Sequence, residues 1–508
     1  MAVGERSIPV GYEAVVRKLD LDCVPHFRAS YVSPGTGRVA VGHDRERHYY
    51  SKKYYPGDGV FDNLVFALKY DGVNLEILKK VFNQLSEHEV AAFVRQQPLS
   101  KYSRKLWFLY EFLMQREISL SDAATGGYVS LLDDSMYYTG APENSRRHRI
   151  INNLLGTPDF CPLIRKTALM GEYMRKDLSR QLTDILGRYD QNLLERASHY
   201  LYTKETRTSF NIEKEEPDAK RTTRFVTLLR QASTAGAVDK TLLLKAQNTV
   251  VGDNRFIAKD YRTTQNYIGE GFGIRQSIHY ISPRPEDVAP LMKGLLESFP
   301  RMHKLVDPIV HAAALAFGFV YIHPFDDGNG RVHRYLIHHV LANEGYTPEG
   351  LIFPVSATML SNIRSYDQCL EKFSMQIMQS NLVQYTINES GELSVANDTG
   401  DLYRYMDLTH AAEYLYGAIE TTIRKEFTNE IAFLAGYELA QKALKNYIDM
   451  PDKLVIQFIQ AIHEQGTISR RKREKVFSML TDTEIADMER LVKQAFREIE
   501  PDEPIKAS

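Results

Sequence analysis

The chain lacks the features that would place it in a specialised class. It has only three cysteines in 508 residues. Cys23, Cys161 and Cys369 stand too far apart for a CxxC pair, which argues against a disulfide framework or a structural zinc site and fits a reducing compartment. Neither sign of charge prevails: 63 Lys and Arg against 65 Asp and Glu leave a formal net charge of −2. No global field therefore draws in nucleic acid or a membrane, and any such role must rest on a local patch. No apolar run reaches the length of a bilayer span, and the start MAVGERSIPVGYE has no basic segment followed by an apolar one, so a cytoplasmic location and no membrane partner are expected. Internal repeats and low-complexity tracts are missing as well.

What is present is ordinary globular material, 43% hydrophobic and 25% charged. Its length exceeds what one core serves and suggests roughly 3 packed units. Residues 1–165 mix helical patterns, such as the aromatic and leucine face of Tyr102 to Met114, with turn-rich pieces (SPGTGR, TGAPENS) and read as an N-terminal domain for target or partner binding. Residues 166–225 are a helical segment, with the polar EKEEPDAKR as a loop between helices. Residues 226–390 follow as a central core, and 391–508, beyond a stretch rich in Asn, Ser, Gly, Asp and Thr, as a helical C-terminal domain. Thr481 and Glu484 form a capping box opening the last helix. The expected fold class is mainly α, with a compact helical core, one small β-hairpin from Tyr267 to Ile281, and mostly helical regions on both sides.

The most informative stretch is His323-Pro-Phe-Asp-Asp-Gly-Asn-Gly-Arg-Val-His-Arg334. Asp307 and Pro308 open a helix that delivers it, and Arg331 to about Ala342 has helical spacing, so a second helix leaves it. Gly328, Asn329 and Gly330 then sit at a helix N-terminus, where backbone N–H groups and the positive dipole end favour an anion and glycine permits close approach. Arg331 and Arg334, three apart, present two guanidinium forks on one face near that N-terminus and point to more than one phosphate. Asp327 is a hard oxygen ligand beside the anion pocket, as suits Mg2+. His323 titrates near neutrality and fits a general base. DDGNG alone would serve as a tight turn, and a lone histidine as a structural residue. The joint occurrence in one twelve-residue window favours chemistry.

This window resembles the signature of the Fic family, HPFx(D/E)GNGRxxR, with every specified position present. The resemblance extends more loosely from about Ser209 to about Met378, including YISPRPEDV. It implies that His323 deprotonates a protein Tyr, Thr or Ser hydroxyl, which attacks the α-phosphate of ATP as pyrophosphate leaves. It further implies that Asp327 holds magnesium, that Gly328, Asn329, Gly330, Arg331 and Arg334 bind the phosphates, and that Phe325 anchors the loop. The Doc-like kinases of the family have a changed glycine here. Both glycines are intact in this chain, which favours AMP transfer, with UMP, GMP or phosphocholine transfer left open. The hairpin from Tyr267 resembles the family's flap, along which a target adds a strand; its GEGFG does not fit GxGxxG.

Thr208-Ser-Phe-Asn-Ile-Glu-Lys214 is similar to the family's inhibitory motif (S/T)xxxE(G/N), with Ser209 and Glu213 matching and Lys214 departing. The resemblance implies that Glu213 pairs with Arg334 and displaces the distal phosphate. The reading is thus an autoinhibited protein adenylyltransferase, with a de-AMPylase or an ATP-binding regulator as the alternatives. The basic clusters Arg146–Arg149 and Arg470–Lys475 are read as solvated faces, with nucleic-acid contact a weaker alternative. His333, His338 and His339 lack the partners of a metal site and are taken as packing or surface residues. A homodimer is left open.

Overall fold

In the computed structural model, residues 7–499 are described apart from 35–36, 43–44, 235, 252–254, 256, 271–276, 349 and 380–381. The described residues are mainly helical, as expected. The chain divides into two compact units, each discontinuous in sequence: one of residues 1–175, 218–346 and 362–416, the other of 176–217, 347–361 and 417–508.

The first unit is built around the helix Pro308–Ile322. Its sequence PIVHAAALAFGFVYI is apolar on every side, and every residue from Ile309 to Ile322 is buried. A helix with no polar face is stable only when wrapped. The helices Pro285–Met302 and Asn329–Asn343 pack directly on it. Asp307 caps its start through the Ile309 and Val310 N–H groups, with Pro308 in the first turn, as read from the sequence. Gly294 and Gly318 let Phe160 wedge between two of these helices: a Cβ would lie 2.5 Å from the Phe160 N at Gly294 and 2.6 Å from its Cζ at Gly318. This wedge ties the N-terminal part of the unit to its helical core.

Residues 7–175 carry more strand than their helical patterns suggest. A four-stranded sheet runs in the order Ile8–Val10, Arg28–Val32, Glu46–Tyr50, Arg38–Val41, with the central pair parallel. A three-stranded sheet joins Val129–Ser130, Ile150–Asn152 and Glu143–Ser145. Strands this short give almost no alternation in sequence. The helix Lys101–Met114 forms where the aromatic and leucine face placed it, burying Leu106, Trp107, Leu109, Tyr110 and Leu113. The polar stretch around residues 386–401 contains a hairpin, Tyr385–Ile387 paired with Leu393–Val395.

The second unit is helical among its described residues. The 22-residue helix Gln191–Ile212 packs on Thr428–Tyr447 and Val355–Ser361. Buried Glu205 is satisfied by the Ser356 N–H (2.9 Å) and the Ser356 hydroxyl, and Lys204 bridges Glu426 (2.8 Å) and Glu430. The Thr481–Glu484 capping box forms at the head of Asp482–Arg497.

The C-terminus of Gln191–Ile212 shows why the position after Glu213 favours glycine or asparagine. The Glu215 N–H bonds the Phe210 carbonyl (3.1 Å) and the Lys214 N–H the Asn211 carbonyl (2.9 Å), the paired bonds of a Schellman ending. Lys214 is left-handed, with φ 58, at the position where glycine or asparagine suits best. Lys214→Gly should stabilise this unit by about 1 kcal/mol and Lys214→Asn by less, because an L side chain costs about 1–2 kcal/mol in this region. Urea denaturation followed by a probe in the second unit checks this; a lower midpoint for Lys214→Gly would contradict it.

Candidate active site

The loop 323–328 joins the buried helix Pro308–Ile322 to Asn329–Asn343. His323 closes the first helix, its N–H on the Phe319 carbonyl (2.9 Å) and its backbone left-handed at φ 52. Pro324 disfavours the right-handed helical region for the residue before it, so the helix ends here. The His323 Nδ1 lies 3.2 Å from the Val320 carbonyl. A carbonyl only accepts, so Nδ1 carries the ring proton and Nε2 is the basic nitrogen of the neutral imidazole.

Phe325 is fully buried, between Phe319 and Tyr261, and anchors the loop. Asn329 shapes the turn: its Oδ1 accepts the Phe325 N–H (3.0 Å) and its Nδ2 donates to the Phe325 carbonyl (2.7 Å). Both ends of this amide serve the loop's own backbone, so Asn329 fixes the pocket's shape. Asp327 is half exposed, and its Oδ1 accepts from the Gly328 N–H (2.5 Å) and from Arg331 Nη2 (2.9 Å). Gly328, at φ 88, starts the second helix with no side-chain cap, which presents the first turn's N–H groups and positive dipole end. Arg331 and Arg334 follow one turn in, 2% and 1% exposed, and Arg331 Nη1 also donates to the Val250 carbonyl (3.3 Å). The structure thus brings His323, Asp327, Gly328, Asn329, Gly330, Arg331 and Arg334 together on one loop and one helix start. Ser209, buried, and Glu213, the C-cap residue of Gln191–Ile212, belong to the second unit.

Three residues hold this loop that sequence reasoning did not single out. Arg262, 4% exposed, donates from Nε to the His323 carbonyl (2.8 Å), from Nη1 to Thr264 (2.8 Å) and from Nη2 to Pro283 (2.6 Å), while its own N–H bonds the Pro324 carbonyl (2.8 Å). Burial lowers its guanidinium pKa to about 10, so it stays charged at neutral pH. Gln247 donates to the Asp327 carbonyl (3.2 Å) and accepts the Ala258 N–H (2.9 Å). Asn266 donates to the Phe325 carbonyl (3.3 Å). Arg262 and Asn266 stand outside any periodic pattern, Gln247 lies on the buried face of the helix Lys240–Val251, and only their backbone partners reveal their part.

The hairpin pairs Tyr267–Glu270 with Ser277–Ile281, antiparallel, with a register shift between Ile268 and Gly269; part of GEGFG lies outside the described residues. Its base is fixed by Tyr403 on the Ile281 carbonyl (2.6 Å), Tyr280 on the Tyr321 carbonyl, and Ser282 on the Asn266 carbonyl (2.8 Å). Among the described residues neither strand has a second neighbour. The remaining histidines pack: His333 Nδ1 lies 2.8 Å from the Ala316 carbonyl and His339 Nε2 2.9 Å from that of Gly236, and His338 is buried. No metal-binding group of His, Cys, Asp and Glu occurs among the described residues, and no helix is long and apolar enough to cross a membrane.

Residues 237–341 match the Fic/DOC family. The chain is similar to the protein adenylyltransferase Fic of Nematostella vectensis, 30% identical over 127 residues that make up 22% of this chain and 27% of that protein. It is also similar to that of Culex quinquefasciatus, 36% identical over 92 residues, 18% of this chain and 16% of that protein. The chain thus spans well under a third of these relatives' length. Among solved structures, a Fic family protein from Desulfovibrio desulfuricans G20 is 18% identical, with a TM-score of 0.37 over 64% of this chain and 84% of that one. A Fic domain containing signaling protein from Bacteroides thetaiotaomicron is 17% identical, with a TM-score of 0.36 over 51% and 96%.

Proposed function

From the premise that this chain carries a Fic/DOC-family domain at residues 237–341, we propose that it is a protein adenylyltransferase moving AMP from ATP to a Tyr, Thr or Ser hydroxyl. The observation that carries the reading is the His323 tautomer, with Nδ1–H on the Val320 carbonyl and Nε2 basic, at the mouth of an uncapped helix with two buried arginines in its first turns. The name adenylyltransferase borne by similar proteins supports it.

In this reading the target hydroxyl gives its proton to His323 Nε2 as its oxygen attacks the α-phosphorus. The bond to the bridging oxygen breaks and pyrophosphate leaves. The helix N-terminus, with Arg331 and Arg334, holds the phosphates and stabilises charge that develops during transfer. Asn329, Arg262 and Gln247 keep the loop rigid, so little reorganisation is needed at the moment of reaction. Asp327 fits a magnesium ion, which favours one carboxylate completed by phosphate oxygens and water: its carboxylate is half exposed and only Oδ1 is engaged within the loop. Bound there, magnesium would neutralise phosphate charge. The target lies along the hairpin as an added strand. Glu213, by its match to the inhibitory motif, restrains the reaction.

Transfer of label from α-32P-ATP and from γ-32P-ATP, with magnesium and a lysate or the protein itself as acceptor, tests this. Label is expected from the α position only, strongest in Glu213→Gly and reduced by ~10²–10⁴-fold when His323→Ala is added, the range of a lost general base. Label from the γ position would mean kinase-like transfer. ATP binding with no label under any condition would replace the enzyme with a regulator, and loss of AMP from modified target without added ATP would assign removal instead.

A further inference from the structure

The N-terminal part of the first unit encloses a cavity of ≈ 400 Å³ that the nucleotide site does not use. Glu111, on the helix Lys101–Met114, lies at its wall. One carboxylate oxygen accepts from Trp107 Nε1 (2.7 Å), the Ile118 N–H (3.0 Å) and Arg147 Nη2 (2.9 Å), and the other from Arg147 Nε (3.0 Å) and meets His148 Nε2 at 3.0 Å. Burial alone would raise the Glu111 pKa, but hydrogen bonds from His148, Arg147 and the others hold it down to about 2. An ionised carboxylate only accepts. His148 Nε2 therefore carries a ring proton, and in the neutral ring Nδ1 keeps its lone pair.

Ser145 Oγ lies 2.7 Å from that Nδ1, so its hydroxyl is the donor. The ring cannot swing away, because Trp107 (centroids 4.5 Å, 67°) and Phe108 (5.3 Å, 85°) meet it edge-on. Strand register adds a fourth group. Glu143 stands opposite Asn152 and Ser145 opposite Ile150, which puts Ser145 and Asn152 on one face of the pair. The Asn152 Oδ1 is taken by the Leu154 N–H (3.2 Å), which leaves the donor end of this amide for the cavity that Asn152 and Ser145 both line.

We propose that Ser145 is a second nucleophile of this protein, activated by His148 with Glu111 as its positioning residue, and that the cavity takes a small ester whose acyl group packs on Phe108 and Phe112. The Ser145 oxygen attacks the ester carbonyl carbon as its proton passes to His148 Nδ1. The Asn152 amide donates to the carbonyl oxygen as it gains charge. The C–O bond breaks, the leaving alcohol takes the proton from His148, and water activated by the same nitrogen releases the acid and restores the serine.

A biotinylated fluorophosphonate, which forms an O–P bond with an activated serine and releases fluoride, tests this on the full chain. Peptide mapping should find the label on Ser145 at least ~100-fold above exposed Ser130 and Ser135, the scale of assistance by a positioned general base. Label at Ser145 should fall by about that factor in His148→Gln and vanish in Ser145→Ala, and stay at the parent level in His323→Ala, which separates this site from the nucleotide site. p-Nitrophenyl acetate should give a nitrophenolate burst that Ser145→Ala abolishes. The comparison with Ser130 and Ser135 is internal to the parent protein and needs no variant to fold. Label no higher at Ser145 than at those serines, or a folded His148→Gln labelled as fast as the parent, would reduce the contact to a turn hydrogen bond and overturn the proposal.

Discussion

Arg262→Met is expected to lower kcat for the proposed AMP transfer by ~100-fold or more while leaving the KM for ATP within a few-fold, the signature of a base held out of line. Methionine keeps an unbranched, flexible side chain, two atoms shorter, and donates nothing. Three carbonyls, on His323, Thr264 and Pro283, would lose their partner in a place where Arg262 itself is 4% exposed. The Pro283 bond is buried and the other two are part-buried; a buried carbonyl so abandoned costs about 1–3 kcal/mol, and the loop moves to let water reach it. The first to move is His323, because its left-handed backbone (φ 52) persists only while its surroundings hold it. The groups proposed to hold phosphate sit on the next helix and are not bonded by Arg262, so ATP affinity should be largely spared. Arg262→Lys keeps the charge but not the fork, and should recover only part of the rate. The measurement is kcat and KM in the Glu213→Gly background for the three chains; a methionine variant within threefold of its parent would show that the loop holds itself.

The division between what the sequence disclosed and what it concealed follows from the range of each interaction. The helices Pro308–Ile322 and Asn329–Asn343 and the turn between them were legible because their causes are local: an aspartate cap followed by proline, an apolar run, glycines before a helix start. The same holds for the Thr481–Glu484 box. Arg262 was not legible, since two of its partners lie 21 and 61 residues away and all are backbone carbonyls, which any residue type supplies. The role of Asn329 was half legible. Its place at a helix start is a local fact, but that its amide closes on Phe325 depends on the turn's geometry. The N-terminal sheets escaped because strands of two to five residues carry too few positions for a period of two to show. Lys214 ran the other way. The sequence marked it as a departure from the motif, and the left-handed C-terminal turn supplied the physical reason the position favours glycine.

Gly328→Ala and Gly330→Ala should part company, although the two glycines look equivalent in GNG. Gly328 sits at φ 88, and a Cβ there would lie 3.0 Å from Val250 Cγ2 and 3.2 Å from Val251 Cγ2. Both valines are buried, so neither can give way cheaply. An alanine would meet a backbone penalty of about 1–2 kcal/mol together with that crowding. The chain can escape only by turning the peptide that opens the helix, which withdraws the first N–H groups from the phosphate they are proposed to bind. Gly328→Ala should therefore lose stability, ATP affinity and rate together, with kcat/KM down by roughly 100-fold, the scale of one lost preorganised donor. Gly330 lies inside Asn329–Asn343, where alanine is the better helix former. Gly330→Ala should thus unfold at no lower urea concentration than the parent. Its effect is steric only, a methyl group where a phosphate must approach the backbone, and appears as weaker ATP binding by calorimetry. A Gly330→Ala protein that binds ATP as the parent does would remove the close approach of phosphate to this turn, and with it the reason for glycine at that position.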